Sequence, residues 1–475
     1  MTSTPRLLID NAWVDSPDRQ GVFNPFTGEK ICDVPLGNAA TLDAALVSAH
    51  RAFDATRKLP AFERAEVLRR ISMGIESRRR DFVDTIVAEA GKPVSLAEVE
   101  VSRAVGTFQI AADESKRVMG ELFSADAIPA GANHVGSWRR FPTGVIVGIT
   151  PFNFPLNLVA HKVAPAIATG NTIVIKPAPK TPLTALLLGE VLVEAGMIPG
   201  QVNIVTCPNE IVHQLSEDDR VRHISFTGSA AVGWKIKEKS GKKKLTLELG
   251  GNAAVVVHAD ADLDKAIPAI ATGAFAYAGQ SCISVQRVYL HESIAKQFTE
   301  RFVQHVKDKV VTGDPTRKDV LVGPMIDAGA LARVMTWIER ARTDGANILT
   351  GAKTDGPCLL PTVLSNVNPA SEVCVEEVFA PVVVLDTYRT FDEAIQKVNA
   401  SKFGLHAGVY THDLRLAMRA YDELDVGGVL INQTPTNRLD HAPYGGSKDS
   451  GMGREGVRFA MEDMTEIKTL LMNLG

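Results

Sequence analysis

The sequence predicts an α/β protein built from two doubly wound lobes, and three observations carry that prediction. At 475 residues the chain is longer than one hydrophobic core organises, so more than one domain is expected. From about Val145, short apolar runs rich in β-branched residues alternate with longer stretches of helical period, the pattern of βαβ units around a mostly parallel sheet. The alternation occurs in two successive series, which implies two sheets with a cleft between them.

In the first series the strands fall at Val145–Ile149, Thr172–Ile175, Val202–Val205 and His223–Phe226. Between the second and third of these lies a well-punctuated helix, with Thr181 as its cap, Pro182 in its first turn and Gly196 at its end. The second series places strands at Ala253–Val257, Val285–Leu290, Val382–Leu385 and Val429–Ile431, and helices near Asp262–Ala278, Ile294–Lys307 and Asp392–Asn399. Thr390 followed by Glu393 reads as a capping box on the last helix. Leu122–Arg140 has no helical period and is expected to leave the first lobe as an extended excursion, and Thr465–Met472 is similarly short and apolar. Ligands in open α/β sheets gather at the carboxyl ends of strands, so the functional motifs are expected at those ends.

Composition narrows the function. The apolar share of 45% with 22% charged residues is that of a chain that folds. Fifty-one basic against fifty-five acidic side chains, a formal charge of −4, provides no cationic field for nucleic acid or an anionic membrane. The run Lys242-Lys243-Lys244 reads as a solvated loop. Five cysteines without any C-x-x-C pair argue against a disulfide framework or a zinc site, so no metal is expected and the cytoplasm is the expected compartment. The amino-terminal stretch from Met1 to Arg6 leads into an apolar patch broken by Asp10, too brief for a secretory signal, and no apolar run reaches membrane-spanning length.

Chemistry enters at Cys282, in Gly279-Gln280-Ser281-Cys282, and at Glu248, in Leu247-Glu248-Leu249-Gly250-Gly251. A thiol nucleophile and a carboxylate base together suggest covalent catalysis, although a single cysteine is more often a small buried hydrophobe. Further motifs accompany them: Pro151-Phe152-Asn153-Phe154-Pro155, Ile175-Lys176-Pro177, Phe226-Thr227-Gly228-Ser229, Glu376-Glu377-Val378-Phe379-Ala380-Pro381, and Tyr444-Gly445-Gly446-Ser447-Lys448 leading to Gly451-Met452-Gly453-Arg454-Glu455. In this order and spacing, from Asn24-Pro25 to the end, they resemble the aldehyde dehydrogenase superfamily.

The resemblance implies a mechanism. Cys282 attacks the aldehyde carbon, because an aldehyde surrenders hydride only once a nucleophile has made it tetrahedral. The side-chain amide of Asn153 and the backbone N–H of Cys282 match the family's oxyanion hole, where one donor is worth about 3 kcal/mol. Glu248 matches the general base that hydrolyses the thioester, and its presence disfavours a coenzyme A-acylating enzyme or a noncatalytic member of the fold. Lys162 and Glu455 match positions linked to proton relay or to organising the site.

For the coenzyme, NAD or NADP, no G-x-G-x-x-G fingerprint follows the strands of the first series. Gly228, Ser229 and Gly233 resemble the family's variant strand-to-helix turn, with Thr150, Pro151, Phe152, Phe226 and Leu249 beside it. Lys176 matches the adenosine-ribose contact, and Glu377 and Phe379 match the contacts of the nicotinamide ribose and ring. Where NAD-selective relatives often carry an acid this chain has Pro179, followed by Lys180; the missing repulsion predicts that NADP is accepted.

Substrate candidates are Ser281 and Ile283 beside the nucleophile, His161, His441, and Arg103 and Arg438 as anion clamps, for a small anionic or hydroxylated aldehyde. The family's organisation implies a coenzyme-binding domain at 1–121 and 140–249, a catalytic domain at 250–462, and a small β element at 122–139 and 463–475 that pairs subunits into a dimer or tetramer.

Overall fold

The computed structural model describes residues 5–117 and 120–475. The leading Met1–Thr4 of the amino-terminal stretch, and residues 118 and 119 of the expected first domain, lie outside the described residues. An eight-stranded sheet runs in the order Ala12–Val14, Leu7–Ile9, Val202–Ile204, Thr172–Lys176, Val145–Ile149, Val221–Thr227, Lys244–Glu248, Gly451–Met452. Its five central strands are parallel, and antiparallel strands close both edges. The chain winds outward in both directions from the neighbouring strands Val145–Ile149 and Val221–Thr227, which makes their carboxyl ends a switch point where a crevice opens.

A second sheet of seven strands runs Asn347–Thr350, Thr362–Ser365, Val382–Tyr388, Val285–His291, Ala253–Val257, His406–Tyr410, Gly428–Ile431, parallel except at the first edge. Here the expectation that every motif lies at a carboxyl end fails. Leu249–Asn252 is too short to hold a crossover helix, so the chain leaves the first sheet at the carboxyl end of Lys244–Glu248 and enters the second at the amino end of Ala253–Val257. The carboxyl ends of one sheet therefore face the amino ends of the other, and Cys282, Glu377 and Phe379 all precede strands.

A third, three-stranded antiparallel sheet joins Thr465–Asn473 to His134–Pro142 and Gly120–Phe123. Thus the segment without helical period is strand and 3₁₀ turns. It carries exposed Leu122, Ile128, Ile467, Leu470 and Leu471, more apolar surface than isolated side chains explain.

Three local expectations are corrected. The helix Leu183–Glu194 is preceded by Pro182 itself, and the Thr181 hydroxyl donates instead to the Phe152 carbonyl. On the helix Phe391–Asn399, Thr390 accepts from the Glu393 N–H, but the Glu393 carboxylate reaches back to Arg389 N–H, so the box is not reciprocal. The helix expected to run to Ala278 stops at Phe275, because Tyr277, Ala278 and Gly279 take left-handed φ of 53°, 53° and 64°. Four helices between Ala39 and Glu114 pack beside the first sheet; the last, Val94–Glu114, carries Glu100 and Arg103 toward the crevice. No helix among the described residues is long and apolar enough to cross a membrane.

Candidate active site

Where the two sheets meet, a cavity of about 890 Å³ collects residues distant in sequence. Asn153 arrives on the loop after strand Val145–Ile149, Thr227 and Gly228 at the end of Val221–Thr227, and Glu248 at the end of Lys244–Glu248. From the other side come Ser281, Cys282 and Ile283, then Glu377 and Phe379, and then Arg438, Tyr444 and Glu455.

The loop before Cys282 is anchored. Gln280 accepts from the Ile326 N–H (2.8 Å) and donates to the Pro324 carbonyl (3.2 Å), while the Tyr277 hydroxyl donates to the Ala90 carbonyl (3.0 Å). Asn153 Nδ2 donates one hydrogen bond to the Gln280 carbonyl at 3.0 Å, which sets the amide beside the nucleophile loop. The Cys282 sulfur lies 3.1 Å from the Tyr444 hydroxyl. Burial pushes its thiol up to about 12, and the hydrogen bond with Tyr444 works the other way.

Glu248 is 3% exposed, and neither carboxylate oxygen has a hydrogen-bond partner. Burial, and then the negative charge of Glu455, raise its proton affinity well above the usual carboxylate range. The space beside it exists because residue 445 is glycine: a Cβ there would stand 2.9 Å from Glu248 Oε1 and 2.8 Å from the Gly453 carbonyl. Glu455 behaves oppositely. Burial opposes its charge, but Lys162 Nζ at 2.9 Å and Arg438 Nη2 at 3.0 Å hold it well below the usual range. Lys162, fully buried in the helix Asn157–Thr169, also donates to Ser225 (3.0 Å) and Thr227 (2.7 Å). Two neighbouring carboxyls are thus driven apart, one toward the neutral and one toward the charged form.

The far end of the cavity is lined by several of the residues that the sequence marks for the coenzyme. Gly228 and Ser229 precede the helix Ala230–Lys239, whose first residues Ala230 and Ala231 line the cavity. Glu377, raised to about 7 by burial, accepts the Gly251 N–H at 3.0 Å, and a Cβ on Gly250 would come within 2.6 Å of it. Phe379 meets Phe152 edge-on, with centroids 5.8 Å apart.

Not every sequence candidate lines this cavity. Thr150, Lys176, Pro179, Lys180, Phe226 and Gly233 lie outside its lining; Lys176 donates to Asn209 Oδ1 at 2.6 Å, and Gly233 leaves room for Leu249. Lys180 forms an exposed ion pair with Asp327. His161 is buried behind the wall with Nε2 2.8 Å from Asp440 Oδ1, and His441 is exposed on an adjoining shallow groove that shares Val99, Arg103 and Arg438 with the cavity. Arg103 reaches the cavity but is held by Asp440 through two bonds, of 3.1 and 2.7 Å. Sequence reasoning assigned no role to Lys92, Glu100, Asp440 or Tyr444. Lys92 is fully buried over the rings of Phe154 (3.6 Å) and Tyr277 (4.6 Å) and ion-paired with Glu100, which accepts the Leu156 and Asn157 N–H groups at 2.9 and 3.1 Å. Tyr444 lay inside a recognised motif; for Lys92 the only signal was its place between Gly91 and Pro93.

Comparison with known proteins agrees with this geometry. The family model described as the aldehyde dehydrogenase family matches residues 13–470. The chain is 40% identical to a 3-sulfolactaldehyde dehydrogenase of Priestia aryabhattai over 98% of each chain. It superposes on aldehyde dehydrogenase 21 of Physcomitrella patens, crystallised with its product succinate, at a TM-score of 0.97, 39% identity and 99% coverage of both chains. The NADP-dependent glyceraldehyde-3-phosphate dehydrogenase of Bacillus halodurans, complexed with NADP, gives a TM-score of 0.97 at 33% identity over the full length of both. Joined to a half-buried thiol, an unpaired carboxyl and a carboxamide at the meeting of two α/β sheets, these matches establish that the chain belongs to the aldehyde dehydrogenase family.

Proposed function

We propose that this enzyme oxidises a small aldehyde bearing an anionic or hydroxyl group to the free acid, with Cys282 as nucleophile and Glu248 as the base for hydrolysis. The observation that carries the reading is the convergence of Cys282, Glu248 and Asn153 on one cavity. Cys282 adds to the carbonyl carbon, and the Asn153 amide and the Cys282 N–H stabilise the oxyanion that forms. The bound nicotinamide coenzyme supplies the hydride acceptor. Glu248, ionised, takes the proton of the water that releases the acid, while Lys162 and Glu455 hold the charge around it.

Support for an anionic substrate comes from Arg438. It is 7% exposed, lines the cavity, and leaves Nε without a hydrogen-bond acceptor, 4.0 Å from the nearest Asp440 oxygen. Its positive charge at the cavity wall favours a substrate that carries a carboxylate, sulfonate or hydroxyl. Arg103 is the second cation at the cavity wall, held there by Asp440. The relatives point the same way, one named for a sulfonated hydroxyaldehyde and one holding succinate.

For the coenzyme, the absence of an acid at Pro179, with Lys180 beside it, supports use of NADP alongside NAD. We assign coenzyme binding to 1–121 and 140–249, the nucleophile to 250–462, and homo-oligomer formation to 122–139 and 463–475, where the exposed apolar strands need a partner. We place the enzyme in the cytoplasm. A panel of chain-matched aldehydes with and without a terminal anion, run with both coenzymes, tests the reading. The anionic members are expected to show at least tenfold higher kcat/KM in the parent and to lose that advantage in Arg438→Met; equal efficiency for neutral aldehydes in the parent refutes the anionic assignment.

A further inference from the structure

A half-buried thiolate in an apolar pocket needs hydrogen-bond donors to exist, and the neighbours of Cys282 offer few. One N–H of the Asn153 amide is already committed to the Gln280 carbonyl at 3.0 Å, and the carboxyls of Glu377 and Glu248 oppose a negative sulfur. Tyr444 stands apart, with its hydroxyl 3.1 Å from the sulfur.

The ring of Tyr444 has little freedom to be anywhere else. Its backbone exchanges two hydrogen bonds with Glu455, of 3.0 and 2.7 Å. The Arg438 guanidinium carbon lies 3.7 Å above one face, and His406 meets the ring at 74° with centroids 5.0 Å apart. The side chain is 4% exposed. A cation on the π face draws electron density from the ring, which makes the phenol a stronger donor, while burial keeps its proton from leaving.

We infer that Tyr444 is a further catalytic residue, whose phenol donates a hydrogen bond to the Cys282 thiolate and so fixes the share of enzyme carrying an active nucleophile. The inference rests on Cys282 being the nucleophile. In the resting thiol either atom can donate. When the thiol ionises its proton goes to solvent, the sulfur keeps the electron pair, and Tyr444 retains its own proton and turns it to the sulfur. When the aldehyde arrives that pair becomes the new S–C bond and the hydrogen bond is given up. The contact therefore stabilises the free thiolate, and its loss is felt before substrate binds.

The test is Tyr444→Phe in the full-length enzyme, which keeps the ring, the stack beneath Arg438 and the backbone pairing. Iodoacetamide alkylation of Cys282, followed peptide by peptide by mass spectrometry across pH, reads the thiolate directly and without aldehyde or coenzyme. The expected result is about tenfold slower alkylation near neutral pH, equivalent to the midpoint of the profile moving up by about one unit, with the two profiles meeting at high pH; kcat/KM for aldehyde falls by a similar factor. An unchanged or downward-shifted midpoint, or uniform slowing at every pH as a packing defect gives, overturns the inference. A parent enzyme in which Cys282 is never alkylated faster than the buried Cys207 and Cys358 overturns the nucleophile assignment, and this inference with it.

Discussion

Replacing Glu248 by glutamine separates the two halves of the reaction. The parent carboxyl is buried, without a hydrogen-bond partner, and set against the charge of Glu455. Glutamine is nearly isosteric, breaks no existing hydrogen bond and removes a buried group that repels its neighbour, so the fold should survive intact. What disappears is the proton acceptor for the attacking water. General-base catalysis contributes on the order of 100-fold to 10,000-fold, so thioester hydrolysis should slow by at least about 100-fold, roughly 3 kcal/mol of barrier at 1.36 kcal/mol per decade. Acylation and hydride release do not use the base. Stopped-flow absorbance of reduced coenzyme should therefore show a burst of one equivalent per active site followed by a nearly flat steady state, and intact mass should find the acyl group on Cys282. The pH dependence has a definite sign. A carboxyl whose proton affinity is raised is neutral below its shifted value and becomes a base only as pH rises. Hydrolysis-limited turnover of the parent should thus climb about tenfold per pH unit on the acid limb, as for any single ionisation, and the variant should lose that limb. Steady-state turnover within threefold of the parent, or an acid limb that persists in the variant, would refute the assignment.

Gly445→Ala should cost at least tenfold in the same hydrolysis step while leaving the burst, because the new methyl contacts Glu248 Oε1 and the Gly453 carbonyl at 2.9 and 2.8 Å; single-turnover acylation and steady-state rates measured together check it. Lys92→Met strands the Glu100 carboxylate in the interior, held only by two N–H donors. Breaking a buried pair costs about 3–5 kcal/mol, the lost cation–π contacts add to this, and methionine packing between the rings returns about 1 kcal/mol. The urea midpoint followed by circular dichroism should fall clearly, and an unchanged midpoint means that the pair contributes nothing.

Much of the architecture was legible because it is periodic. Val145–Ile149 and Ala253–Val257 were read with their observed bounds, since short β-branched runs between turn signals have few other stable uses. Cys282, Glu248 and Asn153 were legible as motifs, and the structure gathers them as the motifs implied. Charge pairing was not legible. Whether Arg103 and Lys180 are free cations depends on Asp440 and Asp327, which lie 337 and 147 positions away and carry no local mark. The direction in which each sheet faces the cleft was also hidden, because it follows from the length of one connection, Leu249–Asn252, and not from any residue in it. Tyr444 sits within a recognisable motif, but its contact with sulfur is a property of how the chain returns on itself at Glu455.

The left-handed turn at Tyr277, Ala278 and Gly279 has a cost and a use. Two of its three members carry a side chain in a conformation that L residues resist by about 1–2 kcal/mol each, and the tight fit of Gly279 against the Ala380 carbonyl prevents relaxation. Glycine at Ala278 would remove that resistance and also widen the distribution of sulfur positions. The enzyme is less stable than its packing permits at the point where its nucleophile must be aimed, so selection for heat resistance and selection for turnover pull this loop in opposite directions.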